Sequence, residues 1–274
     1  GAHRTGREFA RRFGIKRIHD VGREQGISHQ LIADYGYAVP GSTLVCSDSH
    51  TCSGGVFNCL ARGVGGPDVM YAAVKGETWF RVGSTVRYEL SGALRGGVTT
   101  KDVFLHIANV FGDHINQNVE FGGPGLKHLS VNARRTIATM SAEVGAEFAL
   151  FDYDELTAGY LQGRLDRPAT PAHADRDADY LDVRTIDLAD VEPYVVLPDA
   201  IPGNGRRFSE FKNAVRIDQA FIGSCANGLI EDLRIAASIV RGRKVADGRR
   251  LNILDIRPGL QVPRAVNLRQ REPL

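Results

Sequence analysis

Asp48, Ser49 and His50 stand together after the short run Val45-Cys46-Ser47 and offer an acid, a hydroxyl and an imidazole. Successive residues of an extended chain point to opposite faces, so these three cannot act on one another as a nucleophilic triad. A serine hydrolase built on Ser49 would need remote partners. His29 lies upstream in Gly26-Ile27-Ser28-His29-Gln30, and a carboxylate such as Asp48 beside it would fix its tautomer and raise its basicity. That arrangement moves protons near neutral pH. His50 then needs an acid of its own, and Glu143 is the best candidate, because its neighbours Ala142, Val144, Gly145 and Ala146 are small or apolar. Cys225, in Gly223-Ser224-Cys225-Ala226-Asn227, falls at a turn before a helix, where a thiol is a nucleophile or a metal ligand. The alternatives are a hydrogen-bonded turn for 48–50, a solvated helix face for Glu143 and a small buried cysteine for Cys225.

The periodicity says which elements carry these groups. A helix is expected over residues 4–13, ended by Gly14, and a short strand over 16–22. Ile27, Leu31, Ile32 and Tyr35 define an amphipathic helix over 27–37 with His29 near its start. Residues 43–46 read as a buried strand, so the 48–50 set falls where a strand ends, as ligand sites do in open α/β sheets. Further elements are a helix opening at Pro67 and running to Lys75, a strand over 85–90, a helix over 101–111 and a strand over 119–125. A helix over 130–146 carries Glu143, and the polar stretch 156–190 reads as a helix followed by a surface linker. A strand over 218–222, a helix over 229–240 and a strand over 251–256 complete a βαβ unit with Cys225 at its first turn. Three units follow from this: 1–90, 91–190 and 191–274.

Composition excludes several classes. With 274 residues, 43% hydrophobic and 24% charged, the chain is ordinary for a globular protein. A net charge of +2 argues against a nucleic-acid partner, and the basic tract at 241–244 lacks interleaved aromatics. No apolar run approaches a membrane span, so no membrane partner is expected. Four cysteines do not make a disulfide framework, and a reducing cytoplasmic setting is the default. Cys46, Cys52 and Cys59 match neither a zinc pair nor a ferredoxin spacing and read as structural. The glycines at 63, 65 and 66 lack the pattern of a nucleotide loop.

Taken in order, GISHQ, YAVPGSTLVCSDSHT, ARGVGGPDV, VEFGGPGL, ATMSAEVGAE, EPYVVLP and AFIGSCANG resemble the large chain of the aconitase and isopropylmalate dehydratase hydro-lyases. Cys46, two residues before Asp48, is similar to the isopropylmalate dehydratase branch, whereas GISHQLIADYGY looks more like aconitase or homoaconitase. The resemblance implies an α/β fold of aconitase-like three-layer α/β/α domains with mixed, largely parallel sheets. It implies dehydration and rehydration of a small hydroxy di- or tricarboxylic acid at a [4Fe-4S] cluster held by three cysteines, with one iron open as a Lewis acid. By the same resemblance, Cys225 is the first cluster ligand, and His29 with Asp48 and His50 with Glu143 are the catalytic histidine-carboxylate pairs. Ser49 and Asn227 line the substrate site, and a separate small subunit supplies the swivelling domain.

Three departures from the family pattern shape the expectations. The CxxC that should supply the other two cluster ligands is not in the chain, nor is the family's N-terminal Asp-His pair, and Thr139 stands where the family has an asparagine. An incomplete large subunit is therefore expected, unable by itself to hold a four-iron cluster stably. A non-catalytic remnant and a hydrolase using Ser49 or Cys225 are the competing possibilities.

Overall fold

The computed structural model describes residues 1–22, 24–199 and 201–253. The basic N-terminal stretch forms α1 (Ala2–Phe13), which Gly14 closes in the left-handed conformation at φ 63°. Residues 16–22 are not the expected strand. They run unpaired along the surface, tied down by side chains instead of a ladder: Arg7 pairs with Asp20, and Arg17 with Asp166. The site region follows as α2 (Ser28–Asp34), β1 (Thr43–Cys46), a 3₁₀ helix over Ser49–Phe57 and β2 (Leu60–Gly63). β1 and β2 pair in parallel from Thr43 opposite Leu60 to Cys46 opposite Gly63. α3 (Gly66–Lys75) comes next, with proline in its first turn.

A parallel sheet then forms around β3 (Ser84–Ser91), in which Val86, Tyr88 and Leu90 are fully buried and alternate with less buried residues. α4 (Thr100–Phe111) starts at a capping box of Thr99 and Asp102 and buries Val103, Phe104, Ile107 and Ala108. β4 (Gln117–Gly122), α5 (Val131–Met140), β5 (Ala149–Phe151), α6 (Glu155–Leu161) and β6 (Asp182–Asp187) complete this region. The strand order is β5-β4-β3-β6, every pair parallel. β6 lies inside the stretch expected to be a linker. Its burial is mostly shallow, as an edge strand's is, and the sequence signal for it is correspondingly weak. The helix expected over 130–146 is also divided: α5 stops at Met140, and Ser141–Val144 tighten into a 3₁₀ turn closed by Gly145 at φ 75°. Glu143 sits on that turn.

β7 (Tyr194–Val196) and β8 (Gly205–Arg207) form a small antiparallel pair, and β9 (Gln219–Ile222), α7 (Ile230–Val240) and β10 (Arg250–Ile253) form the expected βαβ unit. Residues 254–256 of its expected last strand lie outside the described residues. The architecture is α/β with mostly parallel sheets. One hydrophobic cluster draws on residues from Ile32 to Val191, including Phe57, Tyr88, Phe121, Ile137 and Phe151. The position expected to separate the first two units falls at the end of β3, so the stretches on either side share this core. Among the described residues, no helix is long and apolar enough to cross a membrane.

Candidate active site

Three chain segments far apart in sequence meet beyond the carboxyl ends of β1 and β9. Asp48 leaves β1 in extended conformation and caps the 3₁₀ helix, its Oδ1 accepting the backbone N–H of His50 at 2.9 Å. The same oxygen lies 2.9 Å from Nε2 of His29, which enters from the first turn of α2 and is 4% exposed. One carboxylate oxygen thus fixes both the imidazole of His29 and the backbone that launches His50. The chain can turn this sharply because β2 passes close by. A Cβ on Gly63 would collide with the Asp48 carbonyl oxygen and stand 2.6 Å from Ser49 Cα.

His50 bridges the other two segments. Its Nε2 is 2.8 Å from Glu143 Oε1 on the 3₁₀ turn after α5, and its Nδ1 is 3.0 Å from Cys225 Sγ. The Cys225 turn is held by Ser224, whose backbone takes φ 124° and whose hydroxyl accepts the N–H groups of Ala226 and Asn227. A residue other than glycine in that conformation costs on the order of 1–3 kcal/mol, sustained here by surrounding packing. Thr136 of α5 donates to the Ala226 carbonyl at 2.7 Å, and Ser130 and Asn132 bond Glu231 of α7, which anchors the βαβ unit to the main core.

The two imidazoles stand with ring centroids 5.9 Å apart and edge to face. Their environments push them to opposite protonation states. The bond to Cys225 and the bond to Glu143, which together outweigh burial, raise His50 to about 9. Burial, only partly offset by Asp48, lowers His29. At neutral pH the wall therefore presents one imidazolium and one neutral imidazole, a proton donor beside a proton acceptor.

The structure thus brings His29, Asp48, His50, Glu143 and Cys225 together. Ser49 is adjacent but exposed, at the first position of the 3₁₀ helix. Asn227 turns its amide nitrogen toward Asp232 of α7 at 3.4 Å, and its Oδ1 is buried without a partner among the described residues. Of the other cysteines, Cys52 is buried and donates to the Ala138 carbonyl at 3.0 Å, Cys59 is buried beside Ser42, and Cys46 is half-buried on β1. One residue that bears on the site carried no motif. Arg135 is 2% exposed, and it donates to the His29 carbonyl at 3.1 Å and to Gln30 Oε1 at 3.2 Å. Its one sequence signal is an arginine pair set among Val131, Ile137 and Ala138 on a helix whose apolar face must be inside.

This fold and this constellation define a class, and comparison with known proteins agrees with it. The Aconitase family (aconitate hydratase) matches over residues 4–259, and the chain belongs to that family. Among individual relatives, the 3-isopropylmalate dehydratase large subunit of Mycolicibacterium smegmatis is 52% identical over 89% of this chain and 58% of its own length. Those of Caldicellulosiruptor saccharolyticus and Lachnoclostridium phytofermentans are 40% and 41% identical, again over 89% of this chain and 57% and 58% of their own lengths. The chain therefore spans less than two thirds of the curated relatives it matches.

Proposed function

We propose that the chain forms one wall of the active site of a hydro-lyase acting on a hydroxy di- or tricarboxylic acid, of the 3-isopropylmalate dehydratase large-subunit kind. The observation that carries this reading is the pair of imidazole–carboxylate couples, His29–Asp48 and His50–Glu143, facing each other beside the Cys225 thiol. Dehydration removes a proton from the carbon beside the hydroxyl-bearing one, for which the proposed small subunit supplies the base, and gives a proton to the departing hydroxyl, which leaves as water. Rehydration returns a proton to the carbon and requires that a water be oriented and deprotonated. Charged His50, held by Glu143, is the donor. Neutral His29, its tautomer fixed by Asp48, is the acceptor that orients water. Arg135 holds the His29 backbone in place. Ser49 and Asn227 are assigned to the substrate side of the wall, and a separate small subunit is the proposed partner that completes the pocket.

The family reading includes a [4Fe-4S] cluster, which when bound supplies an open iron as a Lewis acid for the substrate hydroxyl and carboxylate. The described residues fit one corner of such a cluster. Cys225 is a half-buried thiol on the site wall, whereas Cys52 and Cys59 are buried elsewhere and Cys46 sits on β1. Cys225 is the proposed ligand, and the proton transfers belong to the two histidine couples. The experiment that tests the function is turnover by the full-length enzyme, with and without the small subunit, of isopropylmalate, citrate, homocitrate and dimethylmalate. Hydration or dehydration of isopropylmalate is expected to dominate. Turnover of none of the four by the assembled, reconstituted enzyme would overturn the reading.

A further inference from the structure

The residues around Cys225 also satisfy a different chemistry. One ring nitrogen from each of His29 and His50 and the sulfur of Cys225 lie within 4.8 Å of one another. Two imidazoles and a thiolate are the donors that a tetrahedral zinc-class cation prefers, and three protein ligands leave a fourth position open. Each imidazole is already oriented from behind by a carboxylate, His29 through Nε2 by Asp48 at 2.9 Å and His50 through Nε2 by Glu143 at 2.8 Å. That is the support which metal-binding histidines receive, and it engages Nε2 of both rings, leaving Nδ1 of each outside the carboxylate bond. His50 Nδ1 already faces the sulfur, and His29 Nδ1 is buried with no hydrogen-bond partner among the described residues. A buried ring nitrogen left unpaired costs stability unless something fills its coordination, and a cation does so.

We propose that His29, His50 and Cys225 form a site for a single divalent cation of the zinc class, backed by Asp48 and Glu143. Binding needs a neutral Nδ1 on His50 and a thiolate at Cys225, so each proton that His50 Nδ1 and Cys225 Sγ carry leaves to solvent as the metal takes its place. A cation held this way occupies Cys225, so it and an iron–sulfur cluster are alternative states of the same wall. This goes beyond the hydro-lyase reading, and its test reads metal binding instead of turnover, so either can fail without the other.

The test is titration of the chelator-stripped, reduced protein with cobalt(II) alone under anaerobic conditions. One equivalent is expected to bind with the intense ligand-field bands of tetrahedral cobalt and a thiolate-to-cobalt charge-transfer band, and zinc is expected to displace it. Cys225→Ser should remove the charge-transfer band. Asp48→Asn and Glu143→Gln should each weaken binding by about 10- to 100-fold, and Cys46→Ser should leave binding unchanged. Weak uptake with only an octahedral spectrum, or a charge-transfer band that persists in Cys225→Ser, overturns the proposal. The wild-type titration decides the matter even if a variant fails to fold.

Discussion

His50 and His29 lie 5.9 Å apart between ring centres yet are driven in opposite directions, and the difference is a matter of partners. His50 gains a thiol and a carboxylate, whereas His29 gains one carboxylate and loses more to burial. The sign of each contribution to stability follows from linkage. His50 keeps its proton up to about 9 in the fold, against an ordinary 6.5, so its contribution is full below 6.5 and is lost as pH rises through about 9. His29, His106 and His114 are all lowered by burial, so the unfolded chain takes up protons first as pH falls below 6.5, and stability falls with it. Urea midpoints measured across pH should therefore drop on both sides, on the acid side below 6.5 and on the alkaline side approaching 9. A midpoint that keeps rising up to pH 9 would contradict the assignment for His50. Histidine resonances followed by NMR should show one ring titrating near 9, moving down in Glu143→Gln.

At the scale of elements, the site depends on close approach between chain segments that carry no chemistry. Gly63 on β2 touches the Asp48–Ser49 backbone, so Gly63→Ala forces that turn to move. Overpacking of this kind costs about 1–3 kcal/mol. The expected result is a lower denaturation midpoint together with a loss of turnover, because the displaced residue holds both histidines. An unchanged midpoint would show that β2 does not brace the turn. Asp102 does a similar double duty, closing the capping box of α4 and accepting the Tyr194 backbone N–H at 2.9 Å. Asp102→Ala should cost about 1–3 kcal/mol, read from chemical denaturation.

The same elements separate what is legible in the sequence from what is not. β1, β3, α4 and the Cys225 turn follow from local signals, since apolar period, capping residues and glycine position all agree there. The pairing of His29 with Asp48 and of His50 with Glu143 follows from residue chemistry together with family resemblance, and the geometry brings both pairs within hydrogen-bonding distance. Features set by tertiary context leave no such signal. β6 is an edge strand that gains its order from β3, the break after Met140 depends on Gly145 fitting against Ile115, and Arg135 is buried by segments far away in sequence.

Across the whole molecule, the larger of two hydrophobic clusters among the described residues draws on β3 and β4, and the Cys225 unit is attached to α5 through Thr136, Ser130 and Asn132. Arg134 on that helix is fully buried and holds Asp154 with both guanidinium ends, at 2.9 and 2.5 Å, while also donating to the Leu126 and Leu129 carbonyls. Arg134→Ala should cost about 3–5 kcal/mol, because it strands Asp154 and two carbonyls. Since α5 also positions Thr136 and leads to Glu143, that loss should reach the site as well. The function proposed for this wall rests above all on its two proton-handling couples, which are tested most directly by kcat in the assembled, reconstituted enzyme. His50→Asn and Glu143→Gln should each lower kcat by about 10²- to 10⁴-fold with KM little changed, and the double variant should be no slower than the worse single one. A Glu143→Gln enzyme that keeps the wild-type kcat, or single effects that multiply in the double variant, would contradict the account.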